Sequence, residues 1–100
     1  MRRGTTPVNT FTTGIDLTGC TIFVTYAQDG AIVFEKTGAD LTVTATTVQV
    51  RLSQAETLAL HPGRVEIQIR YIDAFGVADA SNIINTTAER IIKDGEIAYV

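Results

Sequence analysis

The sequence is poor in the residue types on which most recognisable chemistry depends. Among 100 residues there is one cysteine, one histidine, two prolines and no tryptophan. A single Cys and a single His exclude both a disulfide framework and a conventional zinc site. Positive charge is also scarce: eight Lys and Arg stand against eleven Asp and Glu, a net charge of −3 with an isoelectric point near 4.9. Without excess cationic side chains to neutralise phosphates, nucleic acid is not an expected partner. Apolar runs extend over only a few residues, far short of the roughly 18–20 that span a bilayer, so no membrane is expected either. Disorder is disfavoured, since 45% of the residues are hydrophobic and mean hydropathy is +0.18. At 10.8 kDa the chain suits one domain over residues 1–100, with 1–7 expected as a flexible arm.

Arg2-Arg3 is not followed by the apolar stretch of an export signal, because Val8 to Gly14 is mostly polar. A reducing cytosol is therefore the expected folding compartment, and one unpaired Cys agrees with it.

What is abundant is threonine and β-branched aliphatics, which suit a pleated, half-buried surface. In Cys20–Ala27 the two-residue period puts Cys20, Ile22, Val24 and Tyr26 on one face and Thr21 and Thr25 on the other. Asp29-Gly30 supplies the left-handed backbone of a tight hairpin, and Ala31–Lys36 is the return strand. Leu41–Ala45 and Val48–Leu52 follow as strands, the second with Val48, Val50 and Leu52 facing inward. Ser53 and Glu56 have the spacing of a capping box, predicting a helical corner over 53–60 that His61-Pro62-Gly63 stops. So short a helix requires Leu58 or Leu60 to pack beneath the sheets. Arg64–Tyr71 is a second strong strand, with Val65, Ile67, Ile69 and Tyr71 inward. Asp73–Gly76 is a turn, the stretch from about Val77 to Ile92 reads as strand, and Ile97–Val100 pairs or frays. About six to eight short strands, one helical corner and no crossover helix predict an all-β, Ig-like antiparallel sandwich.

Reactive candidates are few. His61 is expected to be solvated in its turn without the positioned partners general-base work requires. Cys20, on an inward row, behaves as a small hydrophobe rather than a nucleophile. Asp29, Asp40, Asp73, Asp79 and Asp94 fall at predicted turns, where Asp satisfies backbone locally, and no calcium-loop spacing joins them. No glycine-rich phosphate loop, Gly-x-Ser-x-Gly elbow or Cys-x-x-Cys pair occurs. No catalytic residue, cofactor or metal is expected. Phe23, Val33, Ile72 and Phe75 lie off the inward rows and would form an interaction surface if exposed together.

Asp16-Leu17-Thr18-Gly19-Cys20-Thr21-Ile22 and the hairpin at Gln28-Asp29-Gly30 resemble the Ig-like N-terminal domain of phage baseplate upper proteins. Arg3-Gly4-Thr5-Thr6-Pro7 and Leu52-Ser53-Gln54-Ala55-Glu56-Thr57-Leu58 are similar to segments of small prophage-encoded structural proteins. The resemblance implies a non-enzymatic virion or assembly component, baseplate- or tail-associated, that contacts other virion proteins and forms homo-oligomers. It also implies residence in the host cytoplasm during assembly and then in the virion. It brings no catalytic or ligand residues. The alternative is a carbohydrate- or cell-surface-binding sandwich module, for which seven aromatics without Trp are a sparse platform. A small hydrolase relying on His61 ranks last.

Overall fold

The computed structural model describes all 100 residues. Eight strands run in chain order: β1 (Val8–Thr12), β2 (Thr21–Gln28), β3 (Ala31–Thr37), β4 (Leu41–Val43), β5 (Thr47–Arg51), β6 (Gly63–Ile72), β7 (Ala78–Ala80) and β8 (Ile84–Ala88). The helix α1 (Gln54–Ala59) is the corner between β5 and β6, and a 3-10 turn at Gly38–Asp40 leads into β4. All pairings between strands are antiparallel. One sheet has the order β1-β5-β4; the other runs β3-β2-β6, with β7 and β8 both along the free side of β6. The shortest dimension of the molecule, 18 Å, suits two sheets stacked about 10 Å apart.

Alternation places the core. Ile22, Val24 and Tyr26 of β2, Val48 and Val50 of β5, and Val65, Ile67 and Ile69 of β6 are buried between the sheets, with Leu17, Leu52, Leu60 and Ala88. Tyr26 stacks on Phe34 with ring centroids 4.6 Å apart, and its hydroxyl accepts a hydrogen bond from Asn9 Nδ2 of the facing sheet at 2.7 Å. Burial is the main cause of the Tyr26 phenol's being pushed up to about 12.

The expected helical corner forms as its capping box requires. Ser53 Oγ accepts from the Glu56 N–H at 3.1 Å, and the Glu56 carboxylate accepts from the Ser53 N–H at 2.8 Å. Leu60, at the C-cap, is the buried anchor, and Leu58 is half-buried. At the β2–β3 hairpin, Asp29 and Gly30 take φ of 53° and 78°, the left-handed pair of a two-residue loop.

Three features depart from the expectations. No strand is expected ahead of Cys20, yet Val8–Thr12 forms β1, with Asn9 and Phe11 turned toward the other sheet. The strand expected over 77–92 is two pieces of one edge: Ser81 still pairs with Ile69, but Ile84 pairs with Ile67, so two residues, Asn82 and Ile83, lie opposite Gln68. That is a β-bulge. Residues 1–7, expected as a flexible arm, are instead docked. Arg2 bridges Glu89 in parallel, with the Glu89 N–H donating to Met1 O at 2.9 Å and the Arg3 N–H to Glu89 O at 3.0 Å. Arg3 Nε donates to Leu60 O at 2.6 Å and Nη2 to Leu58 O at 3.0 Å, so its guanidinium satisfies carbonyls at the end of α1. Polar side chains ahead of the first strand do not leave a segment free when unpaired backbone groups lie within reach.

Strand order gives the sandwich its type. The pairs β1-β5-β4 and β3-β2-β6-β7/β8 correspond to B-E-D and C′-C-F-G of an immunoglobulin-type sandwich, C′ being the variable-type addition. No strand stands in position A beside β1.

Candidate functional site

The large sheet presents its second face to solvent. Register fixes which residues share it: Ala80, Arg70, Phe23 and Thr37 form one row, and Ala78, Ile72 and Thr21 the row beside it. Phe23, Ile72, Tyr71 and Ala78 line a depression with Glu35 and Arg70. An adjoining depression takes in Ala27, Ile32, Glu35, Glu66, Arg70 and Ile83. Glu35 and Arg70 border both. The Glu35 carboxylate accepts from Thr25 Oγ1 at 3.2 Å, whereas the Arg70 guanidinium has no hydrogen bond or ion pair within the chain.

Of the four residues expected to make an interaction surface, the fold brings together Phe23 and Ile72. Phe75 is exposed in the turn between β6 and β7 and lines neither depression. Val33 is corrected: it packs against the core. The hairpin register sets Val33 opposite Tyr26, and a bulge then brings Phe34 to the same face. Ala27 pairs with Ile32 but Tyr26 with Phe34, so Val33 and Phe34 both lie opposite the inward-facing Tyr26. Ile32, paired with the outward-facing Ala27, is 68% exposed. Ile32 faces outward because the hairpin register sets its phase, and Ile83 because it lies in a bulge, where the two-residue period fails.

The reactive candidates serve structure. His61 remains exposed, but both ring nitrogens are engaged: Nε2 lies 2.7 Å from Asp29 Oδ2, and Nδ1 lies 3.0 Å from Pro62 O. The Pro62 carbonyl first, and then the Asp29 carboxylate, raise the imidazole above its ordinary value. Beneath this pair the buried Gln28 amide accepts from the His61 N–H at 3.0 Å and donates to His61 O at 2.8 Å. Cys20 is half-buried against the core. Asp73 caps its turn by accepting from Phe75 and Val77 N–H, and Asp79 accepts from Ala80 N–H. No three His, Cys, Asp or Glu side chains gather where they would hold a metal ion. No helix is long and apolar enough to cross a membrane.

Two of the segments that carry the sequence resemblance, Arg3–Pro7 and Leu52–Leu58, form one structural unit. Besides the Arg3 contacts to Leu58 and Leu60, Thr57 Oγ1 donates to Thr5 O at 2.8 Å and the Leu52 N–H to Pro7 O at 3.0 Å. Gly4, at φ +74°, lets the chain pass so close that an added Cβ would lie 3.0 Å from Ile91 Cδ1 and 3.5 Å from Leu58 Cδ2.

No protein-family model and no curated protein sequence matches the chain. Among solved structures, the V domain of amphioxus IgVJ-C2 is similar at 12% identity and a TM-score of 0.37. The match covers 91% of this chain and 97% of that one. The immunoglobulin-type topology stands on the strand pairing itself.

Proposed function

We propose that this protein is a non-enzymatic binding and assembly module that docks on a neighbouring protein through the open face of its large sheet. The observation that carries the reading is Arg70: a guanidinium without an intramolecular partner, bordered by Phe23, Ile32, Ile72 and Ile83 on a face with no covering layer. Apolar side chains around a charge able to fork onto a carboxylate make a compact docking surface, with aromatic and Arg anchors of the type that dominate interface energetics. The finer proposal, a phage or prophage structural protein of the baseplate or tail, rests on the resemblance of Arg3–Pro7 and Leu52–Leu58.

The test is incorporation. In a host whose prophage encodes this chain, the tagged protein is expected in purified particles, and Phe23→Asp or Arg70→Glu is expected to exclude it while the variant remains folded. Absence of the wild-type chain from particles, together with adjoining genes that encode no capsid, portal or tail protein, would remove the phage reading. Retention of both variants in the particles would remove the docking face.

A further inference from the structure

Strand β1 has one partner, β5, and its other edge is open. Pro7 O accepts from Leu52 N–H, and Thr13 N–H donates to Thr46 O; these bonds bracket β1 and set its phase. In an antiparallel ladder bonded positions alternate, so Asn9 and Phe11 bond β5 while Val8, Thr10 and Thr12 direct N–H and C=O groups away from it. Beside this edge lies a seam between the two sheets, lined by Phe11, Ile15, Tyr71, Ser81 and Ile84 among others, with no acidic or basic side chain. It is the position that strand A fills in the complete immunoglobulin order.

We infer that this edge accepts an added strand, and that the strand is the Ile97–Val100 segment of a second copy of this chain. Ile97-Ala98-Tyr99-Val100 carries no charged side chain and follows the charged stretch Lys93–Glu96. Its side chains are all exposed, those of Tyr99 and Val100 completely so. The Gln54 amide donates to Ile97 O at 2.9 Å and accepts from Ile97 N–H at 2.8 Å, which holds the root of the segment against α1. A seam without charged side chains and with unpaired ladder groups is matched by a segment whose side chains are likewise uncharged and rich in strand formers. The arginines at the other end of the chain would bring unpaired cations into it. This seam shares only Tyr71 with the depression described above, and substitutions at Phe23 or Arg70 test one surface while those at Thr10 or Tyr99 test the other.

Sedimentation of the full-length protein over a wide concentration range tests the assignment. Wild type is expected to self-associate reversibly. Thr10→Pro removes an edge N–H that β5 does not use, and is expected to weaken association about tenfold. Tyr99→Asp, a substitution at a fully exposed side chain, is expected to do the same without affecting folding. Mixing the two variants restores one intact donor and one intact acceptor, so a one-to-one complex is expected to reappear. A wild type that stays monomeric, two variants that associate like wild type, or a mixture no stronger than either variant alone would each overturn the proposal. So would loss of association in Phe23→Asp with none in Thr10→Pro or Tyr99→Asp.

Discussion

Arg3 and Leu60 are 57 residues apart in sequence, yet Arg3 Nε donates to the Leu60 carbonyl at 2.6 Å, at the C-cap of the only α-helix. The same guanidinium reaches Leu58 O and Asp94 Oδ1, so one side chain ties the start of the chain to the helical corner and to the turn before its end. Charge-assisted bonds of this kind contribute roughly 1.5–3 kcal/mol where they are partly buried. Arg3→Ala is therefore expected to lower stability by about 2 kcal/mol, a fall in Tm of roughly 10 °C. Arg3→Lys, unable to fork, should recover only part of it. Thermal melts followed by circular dichroism give both values.

Gly4 is predicted to resist substitution for a different reason. Its φ of +74° is costly for any residue with a Cβ, and that Cβ would press on Ile91. Gly4→Ala should destabilise by about 1–3 kcal/mol in urea unfolding.

Glu56 serves the capping box and an ion pair together: Lys36 Nζ lies 2.9 Å from both of its carboxylate oxygens. Burial alone would raise the carboxyl, but the Lys36 and Ser53 bonds outweigh it and hold the group below its usual range. A depressed folded value stabilises above the unfolded pKa and is lost as pH falls through the folded one. Wild type should thus lose stability on acidification through the carboxylate range. Glu56→Gln should be less stable at neutral pH and show a flatter acid limb in urea midpoints measured against pH.

His61 has the opposite sign. Its folded value is raised, so the contribution of its contacts to Pro62 O and Asp29 is complete below the unfolded value. It declines as pH rises through the folded one. The denaturation midpoint of wild type should exceed that of Asp29→Asn more at mildly acidic pH than at alkaline pH. Equal gaps at both pH values would show that the pair does not couple to folding.

Tyr26→Phe is expected to leave Asn9 Nδ2 without its hydroxyl partner between the sheets. A loss of about 1–3 kcal/mol follows, and adding Asn9→Leu to Tyr26→Phe should recover part of it, as a double-mutant cycle would measure.

Period and capping chemistry are local properties, and they determined much of this molecule. Ile22, Val24, Tyr26, Val48, Val50, Val65, Ile67 and Ile69 are buried where two-residue alternation puts them, and Ser53 with Glu56 starts the helix. Asp29-Gly30 closes its hairpin because Asp and Gly tolerate the left-handed backbone the turn requires. Tertiary structure alone decided the rest. The bulges at Val33 and at Asn82-Ile83 come from fitting whole strands together, and each moves side chains to a different face without altering local composition. Docking of Met1–Pro7 depends on carbonyls that the end of α1 and Glu89 offer from distant parts of the chain. The empty position beside β1 exists only once both sheets are in place. Backbone hydrogen-bonding demand is the same for every residue but proline; where it is met, and where it is left open, is a property of the assembled sandwich.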